Sequence, residues 1–292
     1  MYKKLKVAVV MGGRSSEREV SLLTGKEMVL HLNKEKYEII EVDFPKNLEK
    51  IDSCDVVLLA LHGKGGEDGQ IQGYLETKNI KYTGSGVLAS AIGMDKMIFR
   101  WVMERFKLPM AQLTNKIPCV VKPVNGGSSI GVTIVKQKKD LSKAILNAKK
   151  YSDEVLIEEY LEGIELSCGV LGNPSVGSGQ VTVLPVIEIR SKNDFFDYEA
   201  KYSSGKSEEI CPAKINKRLT LEVQELARQV YLAVKARGYA RIDFIIYKNK
   251  PYILEINTLP GMTFNSLIPK EAAVIGMSYS QLLDKIIELA LE

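Results

Sequence analysis

Asp243, Glu255, Asn257 and Arg241 stand inside two apolar segments of the 292-residue chain. Asp243 lies among Ile242, Phe244, Ile245 and Ile246; Glu255 and Asn257 lie among Ile253, Leu254 and Ile256. An unpaired carboxylate buried on a strand is costly, so acidic groups in such runs need partners. The polar turn Lys248-Asn249-Lys250 joins the two segments into a hairpin. Alternation along a strand puts Glu255 and Asn257 on one face. A three-residue loop predicts Tyr247 opposite Pro251, Asp243 opposite Glu255 and Arg241 opposite Asn257, whereas a two-residue loop would flip the parity and separate the carboxylates. We adopt the three-residue loop. It gathers two carboxylates and an amide oxygen, hard donors suited to Mg²⁺, an ion usually held by few carboxylates together with substrate phosphates. A nucleotide is therefore expected beside them. The plainer alternative is a hairpin with solvated edge charges.

A second cluster surrounds Lys122. The stretch 117–135 reads as strand, glycine-rich loop (Gly126-Gly127-Ser128-Ser129) and strand. No helix follows the loop, so it is not a P-loop, but its backbone N–H groups could cover a triphosphate. An ammonium inside an apolar strand needs an anion, which points Lys122 at a ligand. Lys96, at the start of a helix after Met94-Asp95, is an ordinary solvated helix lysine unless its context says otherwise. At the other end of the chain, Gly12-Gly13-Arg14-Ser15 joins strand 5–11 to a helix at about 17–32, an anion-receptive corner, with Ser16 and Glu19 spaced as a capping box. His62 ends the strand 55–61 in a loop dense in glycine, where a ligand contact competes with a structural hydrogen bond. His31 is read as a helix C-terminal residue.

These residues need elements to carry them. Strands at 5–11, 37–43 and 55–61 are mostly apolar, as in a buried parallel sheet, and both early glycine loops lie beyond their carboxyl ends, where open α/β sheets bind ligands. Helices are expected at 70–78, from 94 to before Pro109, at 141–150 behind an Asp140 cap, at 220–237 stopped by Gly238, and at 279–291 behind a Ser278–Gln281 cap. The segment 193–206 is polar and aromatic with no clear period, a long loop of the functional kind. Charged residues make up 26%, hydrophobic ones 45%, and the net charge is +4, a soluble composition that requires neither nucleic acid nor membrane as partner. No stretch approaches transmembrane length. Lys3, Lys4 and Lys6 before 7–11 only weakly mimic a leader. Four dispersed cysteines and two histidines disfavour a zinc site and fit a reduced, cytoplasmic protein.

Taken together, Gly12-Gly13-Arg14-Ser15-Ser16-Glu17-Arg18-Glu19-Val20-Ser21, Leu61-His62-Gly63-Lys64-Gly65-Gly66-Glu67-Asp68-Gly69, Tyr82-Thr83-Gly84-Ser85-Gly86, Met94-Asp95-Lys96, Tyr198-Glu199-Ala200-Lys201-Tyr202 and 255–263 resemble the D-alanine–D-alanine ligases of the ATP-grasp superfamily, in family order and over nearly the whole chain. The resemblance implies an α/β, three-domain ATP-grasp fold: a doubly wound (Rossmann-like) substrate domain at 1–89, a small central lobe at 90–157 and a C-terminal domain at 158–292 with a lid loop at 191–210. ATP would lie between two antiparallel sheets. The implied reaction joins two D-alanines, with ATP and two Mg²⁺ (or Mn²⁺), for peptidoglycan precursors, in a homodimer. By the same resemblance, Asp243, Glu255 and Asn257 hold the metals, with Asn257 also at the nucleotide. Lys96 and Lys122 meet the phosphates under Ser129. Glu158, Tyr160 and Leu161 meet adenine, and Glu165 meets ribose. Glu17 anchors the first ammonium, linked through Ser128 and Tyr202 to the long loop, and His62 sits by the first carboxylate. Ser266 holds the second carboxylate, Arg241 and the Gly261 N–H stabilise the oxyanion, and Lys201 approaches the transferred phosphate. Tyr202 favours the dipeptide over a D-alanyl-D-lactate product. The connection 109–122 is shorter than the family's usual one, so a small central lobe is expected.

Another ATP-grasp carboxylate–amine ligase would share Lys122 and the metal set without needing Glu17, Tyr202 and Ser266. A catalytically silent nucleotide-binding protein would bind Mg-ATP without releasing phosphate. A Rossmann dehydrogenase lacks its glycine fingerprint here. A reactive acyl phosphate must be shielded from water, which gives the long loop a purpose as a lid. Deleting residues 194–206 should leave ATP binding largely intact and remove ligation; full ligation by the deletion variant would rule out the lid.

Overall fold

The computed structural model describes residues 3–174, 180–191 and 207–292. Three sheets carry the chain. The first contains β1 (Leu5–Gly12), β2 (Tyr37–Phe44), β3 (Val56–Leu59) and β4 (Lys81–Tyr82), all parallel in the order β2-β1-β3-β4. β1 and β3 are buried on both faces, which is why they read as unbroken apolar runs. Tyr279, Leu282, Leu283, Ile286 and Ile287 of the terminal helix Tyr279–Leu291 belong to the same core as this N-terminal sheet, so the two ends of the chain share one apolar layer. The second sheet is antiparallel: β5 (Cys119–Pro123) between β6 (Thr133–Val135) and β7 (Val155–Glu159), backed by helix Leu141–Ala148. The third contains β8 (Ile164–Leu171), β9 (Thr182–Val183), β10 (Ile187–Ser191), β11 (Ser207–Ile210), β12 (Tyr239–Tyr247) and β13 (Lys250–Asn257), with the main path β11-β10-β8-β12-β13. Helix Lys217–Ala233 covers its back through Val223, Ala227, Val230 and Tyr231.

The β12–β13 hairpin corrects one expectation and keeps its consequence. Tyr247 pairs with Lys250, not Pro251, so the loop has two residues, Lys248 and Asn249, both at positive φ (47° and 62°). That is the backbone of a type I′ turn, whose twist matches a hairpin. Left alone, this turn would have set Asp243 and Glu255 on opposite faces. A bulge intervenes: Phe244 pairs with Ile253, but Asp243 pairs with Glu255, so Leu254 is the extra residue. Beyond it Arg241 faces Asn257, as expected. The burial pattern carries the same signature: Pro251, Ile253 and Ile256 are buried, while Leu254 and Glu255 are successive half-buried residues.

Helix termini account for further differences. The Ser16–Glu19 capping box does not form: the first helix is Arg18–His31, and its N-cap residue Glu17 makes no side-chain cap. The Ser15 hydroxyl instead accepts from the Glu17 N–H at 3.1 Å and donates to the His62 carbonyl at 2.7 Å. Asp140 makes no side-chain cap either, because it already has helical φ/ψ at the end of the 3₁₀ turn Lys138–Asp140. The helix placed at 220–237 is Lys217–Ala233; Asn216 caps it by accepting from Leu219 N–H at 3.0 Å, and the chain leaves it before Gly238. Helix Val87–Met94 had no counterpart in the sequence reading. The Ser278–Gln281 capping box is present.

One buried acid holds the third sheet to the helix Leu267–Val274. β10 begins at Ile187, opposite Ser167, so Cys168 and Gly169 further along β8 have no β10 partner. The fully buried Glu271 supplies one: its Oε2 accepts from the Gly169 N–H at 2.9 Å. A Cβ at position 169 would lie 2.5 Å from that oxygen, so only glycine leaves the notch open. Burial, reinforced by Asp243, pushes the Glu271 carboxyl well above its usual range despite the Gly169 N–H and Arg241. Above the unfolded-state value the folded chain therefore keeps a proton that the unfolded chain releases, and stability falls as pH rises.

Glu271→Gln should flatten that slope: wild type should lose more melting temperature than the variant between about pH 5 and pH 8, and parallel pH profiles would refute the assignment. At the hairpin, replacing Lys248-Asn249 by Asn-Gly should raise stability by about 1 kcal/mol in a thermal melt, because glycine adopts positive φ without a Cβ penalty.

Candidate active site

A groove runs between the second and third sheets. Its lining includes Lys96, Lys122, Ser129 and Glu158 from one side and Glu165, Ile245, Asp243, Leu254 and Glu255 from the other, with Tyr160 and Leu161 between. Thus nine of the ten expected nucleotide and metal residues line one cavity: Lys96, Lys122, Ser129, Glu158, Tyr160, Leu161, Glu165, Asp243 and Glu255; Asn257 is not part of that lining. The bulge explains the wall near the hairpin, since it puts the apolar Leu254 and the carboxylate of Glu255 side by side in the groove.

The hairpin's charges hold one another. Arg241 donates from Nε to Asp243 Oδ1 (2.8 Å) and from Nη2 to Oδ2 (2.7 Å), a bidentate pair between residues on one face of β12. Ser167, opposite Asp243 on β8, adds a third donor at 2.7 Å. Asn257 Oδ1 accepts from Leu259 N–H at 3.0 Å, which fixes the amide. Across the pair, Glu255 stands opposite Asp243 in register. Two carboxylates and an amide oxygen are a hard donor set that fits Mg²⁺ only with other oxygens completing the shell, as nucleotide phosphates would. Among the described residues no group of three or more His, Cys, Asp or Glu is placed to hold a metal.

The loop after β13 brings Gly261 and Ser266 together: a Cβ on Gly261 would lie 3.3 Å from Ser266 Oγ. That hydroxyl accepts from Thr263 N–H at 3.0 Å and lies 2.8 Å from Thr263 Oγ1. Phe264 of the same loop stacks on His31 at 6.0 Å between centroids, and Tyr279 meets both rings edge-on. His31 also keeps its expected helix-end bond, Nδ1 to Glu27 O at 2.8 Å, but its ring supports the loop that carries Ser266.

At the glycine-rich loop, Asp95 caps helix Lys96–Arg105 by accepting from Met97 and Ile98 N–H. Lys96 Nζ donates to Gly126 O at 2.5 Å and its N–H to Val124 O at 3.0 Å, tying the helix start to the glycine-rich loop. Ser128 and Ser129 both have positive φ, 52° and 57°, conformations that non-glycine residues hold only under tertiary constraint. One such constraint is visible: Ser128 Oγ donates to Glu17 Oε1 at 2.5 Å, across 111 residues of sequence. A Cβ on Gly63 (φ +69°) would meet the other Glu17 oxygen at 2.6 Å, so the His62–Gly63 loop is shaped around that carboxylate.

His62 is buried, with Nε2 3.0 Å from Thr24 Oγ1 and Nδ1 3.4 Å from Glu67 Oε1. Both ring nitrogens are engaged within the N-terminal layer. Glu158 is buried under Lys122, whose Nζ lies 2.6 Å from Oε2, and it also receives Arg100. Lys201 and Tyr202 lie outside the described residues, as does most of the loop 191–210. The sequence reading missed Arg100, Ser167 and Glu271. Arg100 had a signal: it follows Lys96 by four residues on one helix face. Ser167 and Glu271 had none, because only pairing and packing bring them to Asp243 and Gly169.

Comparison with known proteins agrees with this geometry. Residues 99–288 match the family described as D-ala D-ala ligase C-terminus, and residues 6–49 and 41–85 match D-ala D-ala ligase N-terminus. The D-alanine–D-alanine ligase of Syntrophobacter fumaroxidans is 43% identical, covering 99% of each chain. That of Clostridium botulinum strain Eklund 17B is also 43% identical, over 97% of this chain and 98% of its own. Among solved structures, the D-alanine–D-alanine ligase of Bacillus anthracis complexed with ATP aligns with a TM-score of 0.85 at 37% identity, covering 99% and 98% of the two chains. The VanG D-Ala:D-Ser ligase of Enterococcus faecalis aligns with a TM-score of 0.87 at 29% identity, covering 99% and 100%. With both family halves matched in order and full-length relatives above 40% identity, the chain belongs to the D-alanine–D-alanine ligase family and has its ATP-grasp fold.

Proposed function

We propose that this chain uses ATP to join two D-alanines into D-alanyl-D-alanine, through an acyl phosphate, for peptidoglycan precursors. The observation that carries the reading is the Glu17–Ser128 hydrogen bond. It closes the glycine-rich loop of the nucleotide groove onto an acceptor pocket in the N-terminal layer, which a bare nucleotide-binding protein would not need. The working division is 1–89 for the acceptor, 90–157 for the small nucleotide lobe and 158–292 for the rest, with 191–210 as the lid. A homodimer in the cytoplasm is the setting we infer; no helix of the described residues is long and apolar enough to cross a membrane.

In the first step a carboxylate oxygen of D-alanine attacks the γ-phosphorus of ATP; the bond to the β–γ bridging oxygen breaks and ADP leaves. Lys96 and Lys122 neutralise the phosphates, with Lys201 joining them from the lid. Asp243, Glu255 and Asn257 would hold Mg²⁺ (or Mn²⁺), which when bound offsets phosphate charge. Glu17 pairs with the first ammonium, and His62, fixed by Thr24 and Glu67, orients the wall beside the first carboxylate. Ser266 binds the second carboxylate. In the second step the amine of that molecule attacks the acyl carbon, and phosphate departs. Arg241 and the Gly261 N–H stabilise the tetrahedral oxyanion. The amine's proton passes to a substrate oxygen or water, since no side chain among the described residues is placed as a strong base. Asp243 already engages Arg241 through both oxygens, so metal and arginine are coupled through one carboxylate.

The test is phosphate release from Mg-ATP with D-alanine alone, then with D-lactate or D-serine as second substrate. D-serine is the informative competitor because the Enterococcus faecalis relative is named for it. D-Alanine alone should support turnover at least ~10-fold faster than either competitor, the scale set by side-chain contacts in one pocket. Absence of D-alanine-stimulated release would refute the function, and faster release with D-serine would reassign the product.

A further inference from the structure

Helix Lys96–Arg105 sends two cations toward the groove from positions four apart. Lys96 reaches the glycine-rich loop. Arg100 goes beneath the floor: it is 3% exposed and does not line the groove. Its Nη2 donates to Ala111 O at 2.7 Å and to Glu158 Oε1. Glu158 is also 3% exposed, and its other oxygen takes Lys122 Nζ at 2.6 Å. One carboxylate is thus shared by two cations, and the buried members of the cluster carry one net positive charge; the other Arg100 nitrogen, Nη1, lies 3.7 Å from Glu104 Oε1, an exposed carboxylate on the same helix.

Pairing alone does not require this. Lys122 and Glu158 would satisfy each other as a neutral pair, and a third buried charge adds a desolvation cost of its own. The exposed Glu104 carboxylate is hydrated and offsets the surplus charge only weakly, so the buried cluster is suited to an arriving anion. With Glu158 already compensated by Arg100, the charge of Lys122 is available to a ligand in a low-dielectric groove, where each charge acts strongly. Arginine suits the task because the two hydrogens of Nη2 on its planar guanidinium reach Ala111 O and Glu158 from a fixed position, and it stays protonated. Burial would raise the Glu158 carboxyl, but Lys122 and Arg100 outweigh it and hold it below the usual range, so it is ionised at neutral pH.

We propose that Arg100 is a positioning residue for phosphate binding: by sharing Glu158 it leaves the charge of Lys122 only partly compensated and open to the phosphates of ATP, and so sets the groove's preference for charged nucleotides over adenosine. The inference rests on the reading of this groove as the ATP site. It is tested by calorimetric binding of adenosine, ADP and Mg-ATP to wild type, Arg100→Met, Arg100→Gln and Arg100→Lys, each checked for a native circular dichroism spectrum. Arg100→Met should weaken ADP and ATP about tenfold, the order expected for one buried charge, while adenosine changes by less than about twofold. Arg100→Lys should keep most of the discrimination. Arg100→Gln keeps a donor toward Glu158 without the charge, and carries the same expectation if the methionine variant does not fold. Equal losses for adenosine and the nucleotides would make Arg100 a shaper of the pocket and overturn the proposal, as would nucleotide affinities unchanged in the neutral variants. A wild-type chain that binds ATP no better than adenosine is a different result: it refutes the nucleotide site itself.

Discussion

The active-site wall depends on a mismatch between a turn and a strand. A hairpin with two turn residues at positive φ fixes the pairing of everything that follows, and a period of two leaves no intermediate choice of face. Here that pairing would bury Glu255 among the core residues behind β13 and leave Asp243 without its partner. The extra residue at Leu254 shifts the register by one between Phe244 and Asp243. The near half of the hairpin keeps the tight turn, and the far half keeps its polar face toward the groove. The same bulge sets an apolar side chain next to a carboxylate, which is the composition expected where a flat base and a charged phosphate tail share one cavity.

Charge pairing in the groove adds to that geometry. Two of its carboxylates are held by neighbouring donors: Asp243 by Arg241 and Ser167, and Glu158 by Arg100 and Lys122. Groups fixed in this way need little reorganisation when charge develops, the condition under which electrostatic catalysis is effective. Lys96 is tied to the loop 124–126 and Ser128 to Glu17, so the glycine-rich loop is anchored at both the groove and the N-terminal layer. A ligase must bring those two sides together, and these contacts connect them.

The N-terminal layer shows how a distant part of the chain supports the site. His62 is locked by Thr24 and Glu67, and the carbonyl of His62 accepts from Ser15, which also meets the Glu17 N–H. The first helix therefore starts without its own cap, and Glu17, at its N-cap position, turns its carboxylate to the glycine-rich loop. The last helix closes the layer, and Tyr279 joins His31 and Phe264 in an aromatic cluster under the loop of Ser266.

The sequence by itself determined the periodic and the chemically improbable. Strands buried on both faces announced themselves as apolar runs, and Lys122, Asp243 and Glu255 stood out because charges in such runs need partners. The Ser278–Gln281 cap was legible because both of its members are local. What only the tertiary structure decided is whatever depends on a count of one or on a partner far along the chain. Loop length and bulge each shift parity by one residue, and two opposite errors in reading them cancel at Asp243. The caps assigned to Ser16 and Asp140 failed for related reasons: Ser15 and Glu17 had better partners at His62 and Ser128, and Asp140 was already inside a helical turn. Glu271 under Gly169 and Arg100 under Glu158 leave no local pattern, since a buried ion is stabilised by groups that folding delivers from elsewhere.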